Sequence, residues 1–406
     1  MAYIGLEKFY YRHNDLYEEE YDTRLNSYST TVYDLPIKTS HDQKHNLFMV
    51  LTSDVLLLTE KIMMQCIERK SEDSPLRVGA FEKHYVRKLL LEELQATNAI
   101  EGVVSTKEEL EVASRSKNLG RRFYFITNKY QKLLNGDSDH FVRLEDFRNT
   151  YDELMKNEIS EDSLPDGELF RRNEVYVFKG DGSVSPVHSP LKTEEQINLH
   201  LTYLLNLMND DSIPYLIKIA ITHYYFEYIH PFYDGNGRMG RYIASSMLYN
   251  LDPLIAMKLS SVIKNNHKRY LDSFVVTING YNRADATLFV LFMLEMMLEA
   301  SEEVDEDLSK IELTTSKLDR FILENISGKY DLNSIRTFHI IGQATITENT
   351  ITSKEIARAN QVSYSTINIS MKKLLEANLV MKDEQSRGHY TLSEETYSNK
   401  LKTDIS

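Results

Sequence analysis

The chain has 406 residues, of which 42% are apolar and 27% charged, and its formal net charge is −14. These values are typical of a globular protein with two or three domains, and the negative charge excludes a chain that coats nucleic acid or anionic membrane over its whole surface. The single cysteine, Cys66, excludes an internal disulfide and fits a reducing compartment. Without a signal peptide or an apolar run of ~18 residues, the sequence predicts a cytoplasmic protein that does not span a membrane.

The N-terminal part of the chain is predicted to form a polar arm followed by helices. Residues 1–45 are rich in Tyr, Asp and Glu and show little periodicity, which predicts irregular structure. From Leu47 to Ile62, apolar residues recur at intervals of three and four, the spacing of one helix face. The same spacing predicts further helices at 81–96, 107–116, 121–135 and 144–157.

The middle of the chain changes from a strand pattern back to a helix pattern. Residues 174–178 and 183–188 flank the turn sequence Lys-Gly-Asp-Gly, which predicts a β-hairpin. Helical spacing resumes at Thr193, a residue type suited to an N-cap. Helices are then predicted near 193–208, 213–229, 237–250, 259–278 and 285–300. The acidic residues 301–307 form either a solvated linker or a continuation of the last helix with a solvated face, and the continuation is favoured.

Residues 351–392 have the pattern of a winged helix-turn-helix. A short helix at 351–360 and a second at 366–377 are followed by two short strand patterns. Residues 351–391 carry six basic and four acidic side chains, whereas strong DNA binders neutralise many phosphates. DNA binding and a role in protein docking or dimerisation therefore both stay open.

Residues 230–241 read His-Pro-Phe-Tyr-Asp-Gly-Asn-Gly-Arg-Met-Gly-Arg. Pro231 must end the helix predicted at 213–229, so His230 stands at the mouth of a loop. Gly235 and Gly237 allow the backbone to turn tightly and approach a ligand. The amides that open the next helix favour an anion at the same place.

The side chains of this loop add the chemistry of a phosphate site. Arg238 and Arg241 are three residues apart, where two guanidinium groups can clamp phosphate oxygens, and Asn236 adds an amide donor. Asp234 suits Mg²⁺, which proteins hold with one or two carboxylates together with phosphates. His230 can accept a proton from an attacking hydroxyl, because an imidazole titrates near neutral pH.

This loop resembles the signature of the Fic family, His-Pro-Phe-x-Asp/Glu-Gly-Asn-Gly-Arg-x-x-Arg, at every fixed position. The resemblance implies a mainly helical Fic core with a β-hairpin flap, and transfer of AMP from ATP to a Ser, Thr or Tyr hydroxyl of a protein. It implies that His230 is the general base, that Asp234 holds Mg²⁺ and that Phe232 is structural. It also implies phosphate contacts from Gly235, Asn236, Gly237, Arg238 and Arg241.

A second segment, Thr97 to Gly102, follows a strongly helical stretch. Thr97 and Glu101 are four residues apart and share a helix face, and Gly102 can end the helix. Taken alone, the segment is a helix terminus with a surface acid. It also resembles the inhibitory motif of the Fic family, Ser/Thr-x-x-x-Glu-Gly/Asn, which implies that Glu101 pairs with Arg241 and keeps it from the γ-phosphate of ATP.

The resemblance further assigns roles to the hairpin and to one aromatic residue. The hairpin 174–188 is similar to the flap that aligns a target protein as an added strand, with simple packing on the core as the alternative. Tyr270 resembles a position on the adenine side of the nucleotide, with core packing again the alternative. Self-modification and a second copy of the chain stay open as further partners.

The predicted layout is a helical N-terminal region at 1–100, a Fic core at 101–300 and a winged helix-turn-helix at 301–406. The predicted function is protein adenylylation restrained by Glu101, with ATP and Mg²⁺ as cofactors. One alternative is hydrolytic removal of AMP from a modified protein, with Glu101 positioning a water. The other is a nucleotide-sensing transcription regulator, against which the intact His230 argues, since a sensor needs no base.

Overall fold

A computed structural model of the chain describes residues 3–70, 80–176, 190–383 and 388–401. These residues are mainly helical with small antiparallel sheets, which confirms the predicted fold class. They fall into two compact units, one of residues 1–67 and 90–301, the other of residues 68–89 and 302–406. Among the helices of the described ranges, none is long and apolar enough to cross a bilayer.

The N-terminal segment forms regular elements, so the predicted irregular arm was wrong. Helices α1 (Leu6–Arg12) and α2 (Tyr17–Leu25) precede a hairpin of strands β1 (Thr30–Lys38) and β2 (Lys44–Val50). The apolar anchors are few and have the strand period of two: Tyr33, Leu35 and Ile37 are buried between more exposed neighbours. Because this alternation is short and lies among polar residues, the spacing of apolar residues did not predict these strands.

Strand β2 also corrects the predicted helix start at Leu47. Phe48 is fully buried and joins β2 to a distant part of the first unit. Its amide donates to the carbonyl of Ala284 at 3.1 Å, and its carbonyl accepts from the amide of Ala286 at 2.8 Å. Backbone pairing with a segment that is distant in sequence therefore overrides the local helix spacing.

The helices predicted before the hairpin region are confirmed. They are α3 (Ser53–Lys70), α4 (Ala80–Ile100), α5 (Lys107–Arg115), α6 (Tyr124–Leu134) and α7 (Leu144–Met155). Helix α5 begins with a capping box, in which Thr106 accepts from the Glu109 amide and Glu109 accepts from the Thr106 amide. The predicted flap falls largely on residues 177–189, outside the described residues, and residues 174–176 form no strand.

The first unit is built around a buried helix. Helices α8 (Glu194–Met208), α9 (Tyr215–Ile229) and α10 (Asn236–Leu251) pack side by side. Every residue of α9 except Tyr215 and Glu227 is buried, as expected of a helix that is apolar all round. The end of α9 and the start of α10 therefore meet inside the unit, and the loop between them carries the predicted site.

After α10 follow α11 (Pro253–Ala256), α12 (Leu259–Asn265), α13 (His267–Ile278) and α14 (Thr287–Phe321). The single helix predicted at 259–278 is thus divided at Asn266. The side-chain amide of Asn266 donates to the Val262 carbonyl at 3.1 Å, and such side chains compete with the helical backbone bonds. The predicted continuation of the last helix through residues 301–307 is confirmed.

The second unit includes α15 (Leu332–Ile346), β3 (Ile351–Thr352), α16 (Ser353–Asn360), α17 (Tyr364–Glu376), β4 (Val380–Lys382), β5 (His389–Leu392) and α18 (Glu394–Lys400). Its antiparallel sheet has the order β3-β5-β4. Thr352 and Ser363 cap α16 and α17 with their side chains. The order of these elements follows the sequence pattern, and assignment to the winged-helix class stays a prediction.

Candidate active-site loop

His230 lies at the end of the buried helix α9. Its amide still closes the helix by donating to the Phe226 carbonyl at 3.0 Å, and its backbone is left-handed, with φ 52° and ψ 62°. Pro231 follows and cannot continue the helix. A non-glycine residue in this conformation is uncommon and is maintained by its surroundings, so the place of His230 is set by packing as well as by sequence.

The loop after His230 is anchored by Phe232. Its ring is fully buried and stacks on Tyr151 with the ring centroids 3.7 Å apart. Asn236 closes the loop with two bonds to Phe232, accepting from its amide at 3.0 Å and donating to its carbonyl at 2.8 Å. The side-chain amide of Asn236, predicted to face phosphate, thus braces the loop in this structure.

Asp234 is the exposed carboxylate of the loop. Its Oδ1 accepts from the amide of Gly235 at 2.5 Å, and Gly235 has φ 82°, a conformation that suits glycine. The backbone carbonyl of Asp234 accepts from the Tyr151 hydroxyl at 3.0 Å. The described residues contain no cluster of three or more His, Cys, Asp or Glu side chains suited to a metal. A lone exposed carboxylate fits Mg²⁺ that arrives with a nucleotide, because the phosphates supply the remaining ligands.

Arg238 brings a buried positive charge to the first turn of α10. Only 2% of the residue is exposed, and its Nε and Nη1 atoms have no hydrogen-bond partner within the described part of the chain. Glu158 is the nearest acid, with Oε2 at 3.9 Å from Nη1, too far for a hydrogen bond. Buried donors without partners are rare in proteins, and here they indicate a site that receives an anion.

Arg241 is buried as deeply but is fully engaged with α4. Its Nη2 donates to Glu101 Oε1 at 2.8 Å and to the Thr97 carbonyl at 3.0 Å, while Nε donates to the Thr97 hydroxyl at 2.9 Å. Burial raises the pKa of Glu101, but Arg241 outweighs this and holds it below the usual range. About a third of the Glu101 side chain (34%) is exposed, so this carboxylate can be displaced more readily than the guanidinium it contacts.

The segment from Thr97 to Gly102 therefore lies where the sequence prediction requires it. Helix α4 ends at Ile100, and Gly102 adopts φ 70°. Gly237 is part of the same contact, because a Cβ atom added there would overlap the carboxylate of Glu101. The absence of a side chain at Gly237 lets the carboxylate lie against the N-terminal turn of α10.

The structure adds Glu93, which sequence reasoning did not select. It precedes Thr97 by one helical turn and is fully buried. It accepts from the Ser260 amide at 2.8 Å and hydroxyl at 2.5 Å, and from the Ser245 hydroxyl at 3.3 Å. Burial raises the pKa of Glu93 to about 7. The four-residue spacing of Glu93 and Thr97 is visible in the sequence. The sequence does not show, however, which residues pair with an acid in an apolar helix.

Glu227 is a second acid that the sequence did not single out. It lies one turn before His230, with Oε2 at 4.0 Å from the imidazole Nδ1, and its Oε1 is buried without a hydrogen-bond partner in the described part of the chain. Burial raises the pKa of Glu227 to about 8, although Arg241 acts in the opposite direction. Two buried arginines, Glu101 and Glu227 thus surround the start of α10.

Tyr270 lies in the core behind Arg241. Its hydroxyl is 2.8 Å from His223 Nε2, its ring is nearly parallel to that of His223, and only 3% of the residue is exposed. The predicted alternative, core packing, describes this position. Stacking of Tyr270 on adenine stays a prediction.

The fold and the loop define a helical protein in which the loop between two buried helices brings a histidine, two buried arginines and a carboxylate together. Residues 141–248 match the model of the Fic/DOC family. The matched residues include the loop 230–241, in agreement with the resemblance of that loop to the family signature.

Named relatives resemble only part of the chain. "Protein adenylyltransferase Fic" of Drosophila virilis is 37% identical over 87 residues, which are 21% of this chain and 16% of that protein. "Probable protein adenylyltransferase" of Aquifex aeolicus (strain VF5) is 30% identical over 111 residues, 27% of this chain and 30% of that protein. The chain thus matches less than a third of the length of either relative.

A solved structure supports the fold over a longer range. The crystal structure of a Fic family protein from Desulfovibrio desulfuricans G20 aligns with 84% of this chain and 97% of its own, with a TM-score of 0.52 and 20% identity. At this identity the likeness concerns the fold alone.

Proposed function

We propose that this protein transfers AMP from ATP to a Ser, Thr or Tyr hydroxyl of a protein. The observation that carries the proposal is the loop 230–241, in which His230 precedes a helix start that holds two buried arginines. Arg238 has buried donors without partners, and the N-terminal amides of α10 add to the attraction for phosphate. The adenylyltransferase names of the two partial relatives agree with this proposal.

In the proposed reaction the target hydroxyl attacks the α-phosphorus of ATP. The new bond joins the hydroxyl oxygen to phosphorus, the bond to the β-phosphate oxygen breaks, and pyrophosphate leaves. His230 accepts the hydroxyl proton as general base. Arg238 and Arg241 bind oxygens of the β- and γ-phosphates, and Mg²⁺, held at Asp234, would neutralise phosphate charge.

The contact of Glu101 with Arg241 is proposed to restrain this reaction. The guanidinium of Arg241 is already bound at three points, two on Thr97 and one on Glu101. A carboxylate there excludes the γ-phosphate by competing for the same donors, and ATP would bind with its α-phosphorus misplaced. Because Glu101 is partly exposed, a partner or a structural change can remove it without unfolding the core.

The test is the intact mass of the protein and of added candidate targets after incubation with Mg·ATP. Glu101→Gly is expected to raise AMP incorporation about 10- to 100-fold, since a hydrogen bond to a charged group is worth ~1.5–3 kcal/mol. Glu101→Gln, which keeps the size but not the charge, is expected to give an intermediate value. His230→Ala in the Glu101→Gly background should remove all incorporation.

Two results would change the proposal. Equal incorporation by the folded wild type and Glu101→Gly would contradict the restraint while leaving the transferase activity in place. Loss of AMP from a pre-modified target, without any gain from ATP, would instead support the hydrolase that the same residues permit. The proposal also includes binding of the target along segment 174–188 and self-modification, and self-modification is read from the mass of the protein itself.

A further inference from the structure

Arg171 is a fully buried arginine close to the loop, and it does not belong to the family signature. Among the described residues, its guanidinium donates to backbone carbonyls alone: His230 at 2.8 Å from Nε, Asn173 at 2.7 Å from Nη1, and Leu191 at 2.7 Å and Ile229 at 3.5 Å from Nη2. Its own amide donates to the Pro231 carbonyl at 3.2 Å. One residue therefore fixes three successive carbonyls, at positions 229, 230 and 231.

The charge of Arg171 is balanced in an unusual way. Among the described residues, no carboxylate lies within ion-pair distance of its guanidinium. The carbonyls at the C-terminal end of α9 carry the negative end of the helix dipole, which favours a cation there. Burial lowers the pKa of Arg171 to about 10, so the side chain remains charged at neutral pH. Burying a cation costs free energy. A buried guanidinium that donates to these carbonyls therefore indicates that the positions of the carbonyls matter.

A second set of contacts holds the same two segments together. The Tyr233 hydroxyl donates to Asp166 at 2.9 Å and accepts from the amide of Asn173 at 3.1 Å. Glu194, at the start of α8, accepts from three successive amides, those of residues 168, 169 and 170. The segment 166–173 is thus fixed to α8 on one side and to the loop 230–233 on the other.

We propose that Arg171 is a positioning residue for His230. By holding the His230 carbonyl it keeps the left-handed backbone of that residue, and hence directs the imidazole toward the point of attack. It also joins residues 173 and 191 to the loop, and these flank the segment in which the flap is predicted. This role rests on the proposed transfer reaction, but the contact itself can be tested without it.

The experiment compares Arg171→Lys with Arg172→Lys, each in the Glu101→Gly background. Lysine keeps the charge but cannot reach four carbonyls in the fixed geometry of a guanidinium. Arg172 is the exposed neighbour, so its variant is the matched control. Arg171→Lys is expected to lower kcat about 100-fold, since a displacement of ~1 Å can have that effect. The KM for ATP should stay within about threefold, because the phosphate-binding residues of α10 are unchanged.

Hydrogen exchange of the peptide 226–236 gives a second measurement that needs no activity. Arg171→Lys should accelerate exchange there, and Arg172→Lys should not. If no variant transfers AMP but the exchange changes as expected, the proposed function fails and the positioning contact stands. Equal kcat and equal exchange in the two variants would overturn the positioning role.

Folding is checked by circular dichroism and by Mg·ATP binding, with Arg171→Gln as a second substitution. If one variant folds, its kcat and exchange decide the matter. If neither folds, Arg171 is a requirement of the whole unit and the specific role at His230 is overturned.

Discussion

At the scale of single residues, the site is a concentration of buried charge. Arg241 is bound by Glu101 and Thr97, whereas the acid beside Arg238 in the described part of the chain is Glu158, with Oε2 at 3.9 Å from Nη1. The two arginines of one helical turn therefore differ: Arg241 is hydrogen-bonded, whereas two donors of Arg238 have no hydrogen-bond partner among the described residues. Glu227 lies between His230 and Arg241 without a hydrogen bond to its Oε1, and its ionisation changes the field at both.

Glu227 leads to a prediction about pH and stability. Burial raises the pKa of Glu227 from 4.5 to about 8, so the folded state binds more protons than the unfolded state between these values. The free energy of unfolding should therefore fall as pH rises from about 5 to 8. Glu227→Gln lacks this contribution, so its free energy of unfolding should decrease less over the same pH range. The difference between the two decreases should be about 1–4 kcal/mol.

Urea unfolding at pH 5 and pH 8, followed by circular dichroism, measures this difference. Glu93 has the same sign of effect in both proteins and cancels in the comparison. Glu60→Gln, at an exposed position on α3, is the control and should follow the wild type. Parallel stability curves for the wild type and Glu227→Gln would show that Glu227 does not carry the effect.

At the scale of elements, the N-terminal hairpin is part of the core of the first unit. Besides the backbone bonds of Phe48, the Tyr225 hydroxyl on α9 donates to the Pro36 carbonyl at 3.0 Å. The amide of Lys38 donates to the Tyr228 hydroxyl at 2.8 Å. The hairpin therefore packs against the helix that ends at His230, and it supports the site from behind.

Phe48→Ala should accordingly destabilise the unit by about 3–5 kcal/mol, the usual effect of truncating a buried aromatic residue. Val32 pairs with Phe48 across the strands but is 47% exposed, so Val32→Ala should change stability by no more than about 0.5 kcal/mol. Urea unfolding of both variants measures the two values. A small effect at Phe48 would return the N-terminal segment to the role of a loosely attached arm.

At the scale of the whole molecule, sequence neighbours and spatial units do not coincide. Residues 68–89 belong with 302–406, and within that unit the Lys88 ammonium lies 3.2 Å from Glu348. The Tyr85 hydroxyl donates to Asp307 at 3.2 Å. These contacts join segments that are far apart in the sequence, so no local pattern could have predicted them.

The charge of the molecule gives a prediction about nucleic acid. The whole chain has a net charge of −14, and on α17 Lys373 is paired with Asp331 and Lys372 with Glu376. Any retention of a random DNA duplex at about 50 mM salt should therefore disappear by about 200 mM. A filter-binding titration of the full chain measures this. Retention that survives at the higher salt would support DNA binding by the second unit.

The sequence by itself determined the helices with regular apolar spacing, the end of α9 at His230-Pro231 and the identity of the loop. These depend on interactions within a few residues: helix period, proline geometry and glycine conformation. It also led to the pair of Glu101 and Arg241, because a family motif marks both ends. The buried partners that no motif marks, Glu93, Glu227 and Arg171, could not be found in this way.

Only the tertiary structure decided the roles of those three residues, the formation of the hairpin at the N-terminus and the division of the helix at Asn266. A buried acid or arginine takes its role from partners that the chain brings near by packing, and these are distant in sequence. The carbonyls held by Arg171 are the clearest case, since a backbone acceptor has no side-chain signature. The loop sequence predicts the type of reaction, and the long-range contacts around the loop determine which side chains are available for that reaction.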